Sequence, residues 1–228
     1  MSYFSPQFRN PRMEHFEREI HDVLPHHFAR FLEGEPLNIF EQVSDHMHLH
    51  LYIWAPTSRR NMWTVVTAGM SAHAMNTPPE LSYYSRVELV FTLPATWPSI
   101  EDIERMPSIR ANEYQWPLEV MTAVARLPYL YNTWLARGHT VRNGHESDDT
   151  YAGSKFSGVL VDGVTSLPHT AQLMEVNGTP VHFLGLYPLY PQELHNILRR
   201  HITGHEWFHR CLEAGFHEGL LTERPLLG

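Results

Sequence analysis

The chain has 228 residues, 43% hydrophobic and 18% charged, with a formal net charge of -8 when its 17 histidines are neutral. That length buries a core without disulfides or a structural metal, and the composition is far from the charge-rich, aromatic-poor profile of a disordered chain. The acidic balance removes counterion release on a phosphate backbone as the main source of binding energy, so nucleic acid is not an expected partner, and it favours encounters with basic proteins. Cys211 is the only cysteine, which rules out an intramolecular disulfide or a cysteine-based zinc ribbon and fits a reducing compartment. Met1 to Met13 holds no apolar h-region and no stretch approaches a membrane span, so a cytoplasmic protein is expected.

Between Glu14 and Leu32, the residues Phe16, Ile20, Val23, Leu24, Phe28 and Phe31 recur at helical spacing, and Pro25 is expected to kink or divide that helix. Leu37 to Val43, His46 to Trp54 and Met62 to Ala68 are rich in β-branched and aromatic residues and predict successive strands. Met70 to Tyr84 predicts a loop, and the alternation from Arg86 to Leu93 a fourth strand. A short helix is expected between Pro94 and Arg110. Pro117 then stands where proline suits the first helical position, with Glu119 in the first turn, and Pro128 is expected to interrupt this helix before a second piece ends at Gly138.

Arg142 to Gly158 is polar and carries Asp148-Asp149, the mark of a surface loop. Gly158 to Val161, Ala171 to Val176 and Pro180 to Leu186 predict further strands, the last two joined through Asn177-Gly178, a strong hairpin signal. A helical region follows from Pro191. The order helix, strands, helix, strands, helix, with no linker or repeat, indicates one α/β (α+β) domain over residues 1–228.

Three stretches in this order resemble suppressor-of-fused-like domains. They are Thr64-Val-Val-Thr-Ala-Gly69-Met70-Ser71, then Trp116-Pro117-Leu118 through Thr133-Trp134-Leu135 to Gly138-His139-Thr140, and Phe183-Leu-Gly-Leu-Tyr-Pro-Leu-Tyr-Pro-Gln-Glu-Leu194. The resemblance runs from about residue 36 to 199, leaving a helical tail over 200–228. It implies a central mixed, largely antiparallel sheet flanked by helices, and a protein that acts by binding protein. Animal members hold a transcription factor by a short peptide, and bacterial members look like immunity proteins that neutralise toxins. Within these 228 residues the resemblance leaves the further C-terminal domain of the animal pattern unmatched. The resemblance therefore implies a bacterial-type, non-enzymatic, stoichiometric inhibitor that needs no cofactor and whose partner is a protein, such as a toxin domain.

Partner contacts are expected at Trp134, His139 and Thr140, after a helix end, and at Tyr187 and Tyr190, in a proline-stiffened turn between strand and helix. Against this, large aromatics are usually placed by burial, which would make Trp134 and Tyr187 core residues.

Two histidine patterns suggest metal chemistry. His205-Glu206-Trp207-Phe208-His209 fits HExxH, in which two imidazoles one turn apart hold zinc and the glutamate serves as general base, and a zinc hydrolase is the alternative function. With so many histidines the pattern arises by chance in roughly one such chain in ten. Thr203 and Glu206 also fit a capping box, and no third ligand has suitable spacing. His46, His48 and His50 alternate along a predicted strand and so share one face, as metal ligands, as an exposed strand face or as a sheet face covered by a helix.

Overall fold

The computed structural model describes residues 11–44, 47–219 and 224–227. Helix α1 (Pro11–Phe28) precedes strands β1 (Leu37–Ser44), β2 (Met47–Trp54), β3 (Met62–Ala68) and β4 (Val87–Pro94). The short α2 (Ile100–Arg105) and the long α3 (Ser108–Tyr131) lead to β5 (His139–Arg142), β6 (Gly158–Gly163), β7 (Leu173–Val176) and β8 (Thr179–Leu189), and α4 (Pro191–Leu198) and α5 (Gly204–Glu213) follow. The strands form one sheet in the order β1-β2-β3-β4-β8-β6-β5, with β7 also paired to β8. Among the described residues only the β4–β8 pair is parallel, giving the expected mixed, largely antiparallel sheet between helices.

Strand period two distributes the core to both faces. Leu49, Leu51, Phe91, Val161 and Leu186 pack under Val120, Met121 and Val124 of α3. On the other face, Tyr52, Trp54, Val66 and Phe183 meet Ile20, Leu24 and Phe28 of α1. Further along that face, Leu160, Tyr187 and Leu189 meet Leu194, Trp207, Phe208 and Cys211 of α4 and α5. Each fully buried large apolar side chain contributes about 1.5–3 kcal/mol, so a sheet covered twice needs no disulfide.

Several predicted boundaries differ. Pro25 lies inside an unbroken α1, and the predicted Met70–Tyr84 loop contains two 3-10 turns. Pro117 does not open its helix: α3 begins at Ser108 and contains both Pro117 and Pro128. Both prolines are buried, so tertiary packing offsets the hydrogen bonds that their missing N–H groups forfeit. The helix ends at Tyr131 because Asn132 turns left-handed at φ 48°, and the second helical piece up to Gly138 does not form. His139–Arg142 is a strand instead of the start of a loop. The predicted hairpin is present, with Asn177 at φ 50° and Gly178 at φ 74°, the two positive values a type I′ turn requires.

Candidate protein-binding surface

The sheet has an outer edge at β5, which pairs only with β6 among the described residues. Asn143 N–H donates to the Ser157 carbonyl at 2.8 Å, and antiparallel alternation from that bond turns the backbone groups of Thr140 and Arg142 away from β6, towards the open side. Trp134 sits beside this edge, half-buried against the α3-side core, its ring 4.6 Å from that of half-buried His139. Burial holds the His139 imidazole below its ordinary pKa, which favours the neutral, stacking form. The turn beyond β5 exposes Glu146, Asp148 and Asp149, and Asp149 Oδ2 accepts from the Glu146 amide at 3.0 Å. The structure thus brings Trp134, His139 and Thr140 together at an unpaired strand edge beside an acidic turn.

Tyr187 and Tyr190 do not join them. Tyr187 is 1% exposed, and its hydroxyl donates to the Gly163 carbonyl at 2.6 Å. A partner cannot reach this ring while α5 covers it, which corrects the surface placement expected from the sequence. Tyr190 is half-buried, stacked on Phe156 at 4.7 Å, with the Arg224 guanidinium 4.6 Å from its ring.

Arg224 belongs to a segment whose role sequence periodicity does not reveal. β4 and β8 pair only over Val87–Val90 and His182–Gly185. In the gap beyond, Gly219 N–H donates to the Leu186 carbonyl at 2.9 Å and the Glu218 carbonyl accepts from the Thr92 hydroxyl. Gly219 has φ 119°, and a Cβ there would lie 2.1 Å from the Thr92 carbonyl oxygen, so only glycine passes. The fully buried Glu218 carboxylate accepts from the amides of Thr165 and Ser166, at 2.8 and 3.1 Å, and from both hydroxyls. A late segment of the chain therefore occupies the position beside β8 that β4 leaves.

The first stretch of the resemblance also has a physical reading. Glu88 is fully buried in β4; its carboxylate accepts from the Gly69 and Ser71 amides, each at 2.9 Å, and from the Thr67 hydroxyl at 2.6 Å. Burial pushes this carboxyl upward in pKa against the pull of those donors. Gly69, at φ 118°, sits where a Cβ would lie 2.2 Å from the His48 carbonyl oxygen. The Thr-x-Gly-x-Ser pattern is thus the cradle of a buried carboxylate, an architectural element.

Groups of both histidine patterns are held in local contacts. Glu206 accepts from the Thr203 amide at 2.7 Å and Thr203 Oγ1 from the Glu206 amide at 3.1 Å, so the capping box holds the group that a hydrolase would use as base. Among the described residues no three His, Cys, Asp or Glu side chains group as a metal site. Cys211 is buried and its thiol is pushed up to about 12, leaving it protonated and inert. Of the histidine strand, His46 lies outside the described residues. His48 Nδ1 meets Glu17 Oε1 at 2.9 Å and His50 Nδ1 meets Asn38 Oδ1 at 2.8 Å, a face that α1 covers.

The family model for Suppressor of fused protein (SUFU) matches residues 44–214. The chain belongs to the suppressor of fused family. Its fold is similar to that of a SUFU homologue from Neisseria gonorrhoeae, with a TM-score of 0.62 and 12% identity over 94% of this chain and 98% of that one. The Sufu–Fu complex gives 0.57 and 15%, covering 95% and 91%. Drosophila Suppressor of Fused gives 0.55 and 16%, covering 97% of this chain but 53% of that protein. No curated protein matches by sequence. The family match spans the Glu88 cradle, the β5 edge and β8, and stops before Glu218 and Arg224. No helix among the described residues of this SUFU family member is long and apolar enough to cross a membrane.

Proposed function

We propose that this SUFU family member acts by binding a protein partner stoichiometrically, as an inhibitor rather than as an enzyme, and that the partner is a toxin domain which it neutralises as an immunity protein. The observation that carries the reading is the β5 edge, where the outward backbone of Thr140 and Arg142 lies beside the Trp134–His139 pair. A partner strand added there gains main-chain hydrogen bonds from the edge, and a partly exposed tryptophan beside it supplies an anchor. The acidic turn and the net charge of -8 favour a basic partner surface through faster encounter. Family membership supports the binding reading, as does a relative's structure in a Sufu–Fu complex.

Native mass spectrometry of the tagged chain isolated from its own host tests the reading. A stoichiometric protein partner whose retention drops in Trp134→Ala and Thr140→Pro supports it, and the partner's activity, measured with and without the chain, decides the toxin assignment. A partner retained equally by both variants would remove the β5 edge from the proposal, and a chain that carries no partner under any growth condition would sink it.

A further inference from the structure

HExxH leaves a residue that the binding function does not absorb. With Glu206 turned back to its cap, His205 and His209 still stand one turn apart on α5 and meet, Nε2 to Nε2, at 3.0 Å, with rings at 86° and centroids 4.4 Å apart. Both side chains are exposed. The helix beneath them is fixed by the capping box at one end and by the burial of Trp207, Phe208 and Cys211. The two nitrogens are therefore presented by a rigid support.

We propose that His205 and His209 form a two-point chelate for a divalent transition metal, with Cu(II) and Ni(II) preferred over Zn(II). Metal–imidazole bonds of about 2.0–2.1 Å place two nitrogens 3.0 Å apart at an angle of about 91–97°, close to the cis angle of a square-planar or tetragonal site. A tetrahedral ion needs the nitrogens about 3.3–3.4 Å apart, which rotamer adjustment must supply. Neutral imidazole suits these borderline metals, whereas Mg(II) and Ca(II) take oxygen donors that this pair lacks. The absence of a third grouped ligand among the described residues leaves the other positions to water or to a donor from another molecule. The pair lies close to the β5 edge, because a Cβ at Gly204 would be 2.6 Å from the Gly138 carbonyl oxygen.

The test is titration of the full-length, chelator-treated chain with Cu(II), Ni(II) and Zn(II), read by isothermal calorimetry and, for Cu(II), by electron paramagnetic resonance. One tightest Cu(II) equivalent is expected, with the resonance signature of two imidazole nitrogens. His205→Asn or His209→Asn lowers its affinity by about tenfold or more without moving the metal-free melting temperature, while Glu206→Gln keeps the affinity. If the tightest equivalent survives in the His205→Asn/His209→Asn double variant, the metal sits on other histidines and the proposal fails. It fails equally if Glu206→Gln abolishes binding while the helix stays folded, since Glu206 would then be a ligand.

Discussion

Arg224 grips Glu193 with both arms of its guanidinium, Nη1 to Oε1 at 2.6 Å and Nη2 to Oε2 at 2.5 Å, and the two side chains are 5% and 1% exposed. The Pro188 carbonyl accepts a further bond from Nη2 at 2.7 Å, and the guanidinium lies 4.6 Å from the Tyr190 ring and 5.2 Å from that of Trp207. Desolvation of such a pair is costly, but loss of one partner strands the other charge. Arg224→Met is expected to cost about 3–5 kcal/mol in urea unfolding, and Glu193→Leu with Arg224→Met distinctly less than the sum of the single changes. Additive losses would show that the two groups act separately.

The Glu88 cradle predicts a large effect from a small substitution. Gly69→Ala forces a methyl group onto the His48 carbonyl at a positive φ, and a loss of at least about 1–3 kcal/mol is expected from the backbone strain alone. Glu88→Ala leaves the Gly69 and Ser71 amides and the Thr67 hydroxyl unmet at about 1–3 kcal/mol for each buried group. Chemical denaturation reads both, and a Gly69→Ala protein of wild-type stability would show that the turn adopts another conformation.

His21 gives stability a pH dependence of defined sign. It projects from α1 towards β2 with its ring 4.0 Å from that of His50, and its Nε2 is buried without a hydrogen-bond partner. Burial first, then the charges of His50 and His48, bring its pKa from 6.5 down to about 4. Glu17 pairs with His48, Asn38 with His50, and the Tyr52 hydroxyl is 3.4 Å from His21 Nδ1. Between pH 6.5 and about 4 the unfolded chain takes up a proton that the folded chain refuses. The contribution of neutral His21 is therefore complete above pH 6.5 and is lost as pH falls towards 4. The loss amounts to about 1–2 kcal/mol after allowance for solvent screening. His27 and His50 are lowered in the same direction. Denaturant midpoints from pH 7.5 to 5 should fall, and His21→Leu should flatten the slope; an unchanged slope would locate the effect elsewhere.

The β5 edge predicts a separation of binding from folding. Thr140→Pro removes an N–H that points away from β6, so the sheet keeps its bonds, and thermal unfolding should shift little while partner retention drops. A melting temperature that collapses would mean that this amide is used inside the fold.

Much of the architecture was legible because strands and amphipathic helices advertise themselves by period: β2, β3, β4 and the β7–β8 hairpin fall within a few residues of expectation. The errors cluster where local chemistry and tertiary packing disagree. Pro117 reads as a helix start, yet packing against the sheet holds it within α3, and β5 is too short, at four residues, to show alternation. Of the expected contact residues, Trp134, His139 and Thr140 meet at one edge, whereas Tyr187 is claimed by the core, because alternation places it opposite Leu160 under α5. Glu218 and Arg224 carried no periodic signal. An acidic residue before glycine and an arginine before proline look like surface chain until the groups that receive them are seen.

The position beside β8 has a consequence for synthesis. Strands β4 and β8 both precede residues 217–219, so during translation the sheet can pair everywhere else while a slot flanked by Thr92 and Leu186 is still empty. A nascent domain in that state exposes strand backbone in its interior, an open template for any extended segment nearby. The arrival of Glu218 and Gly219 seals the slot, which makes this late segment the chain's own guard against mispairing.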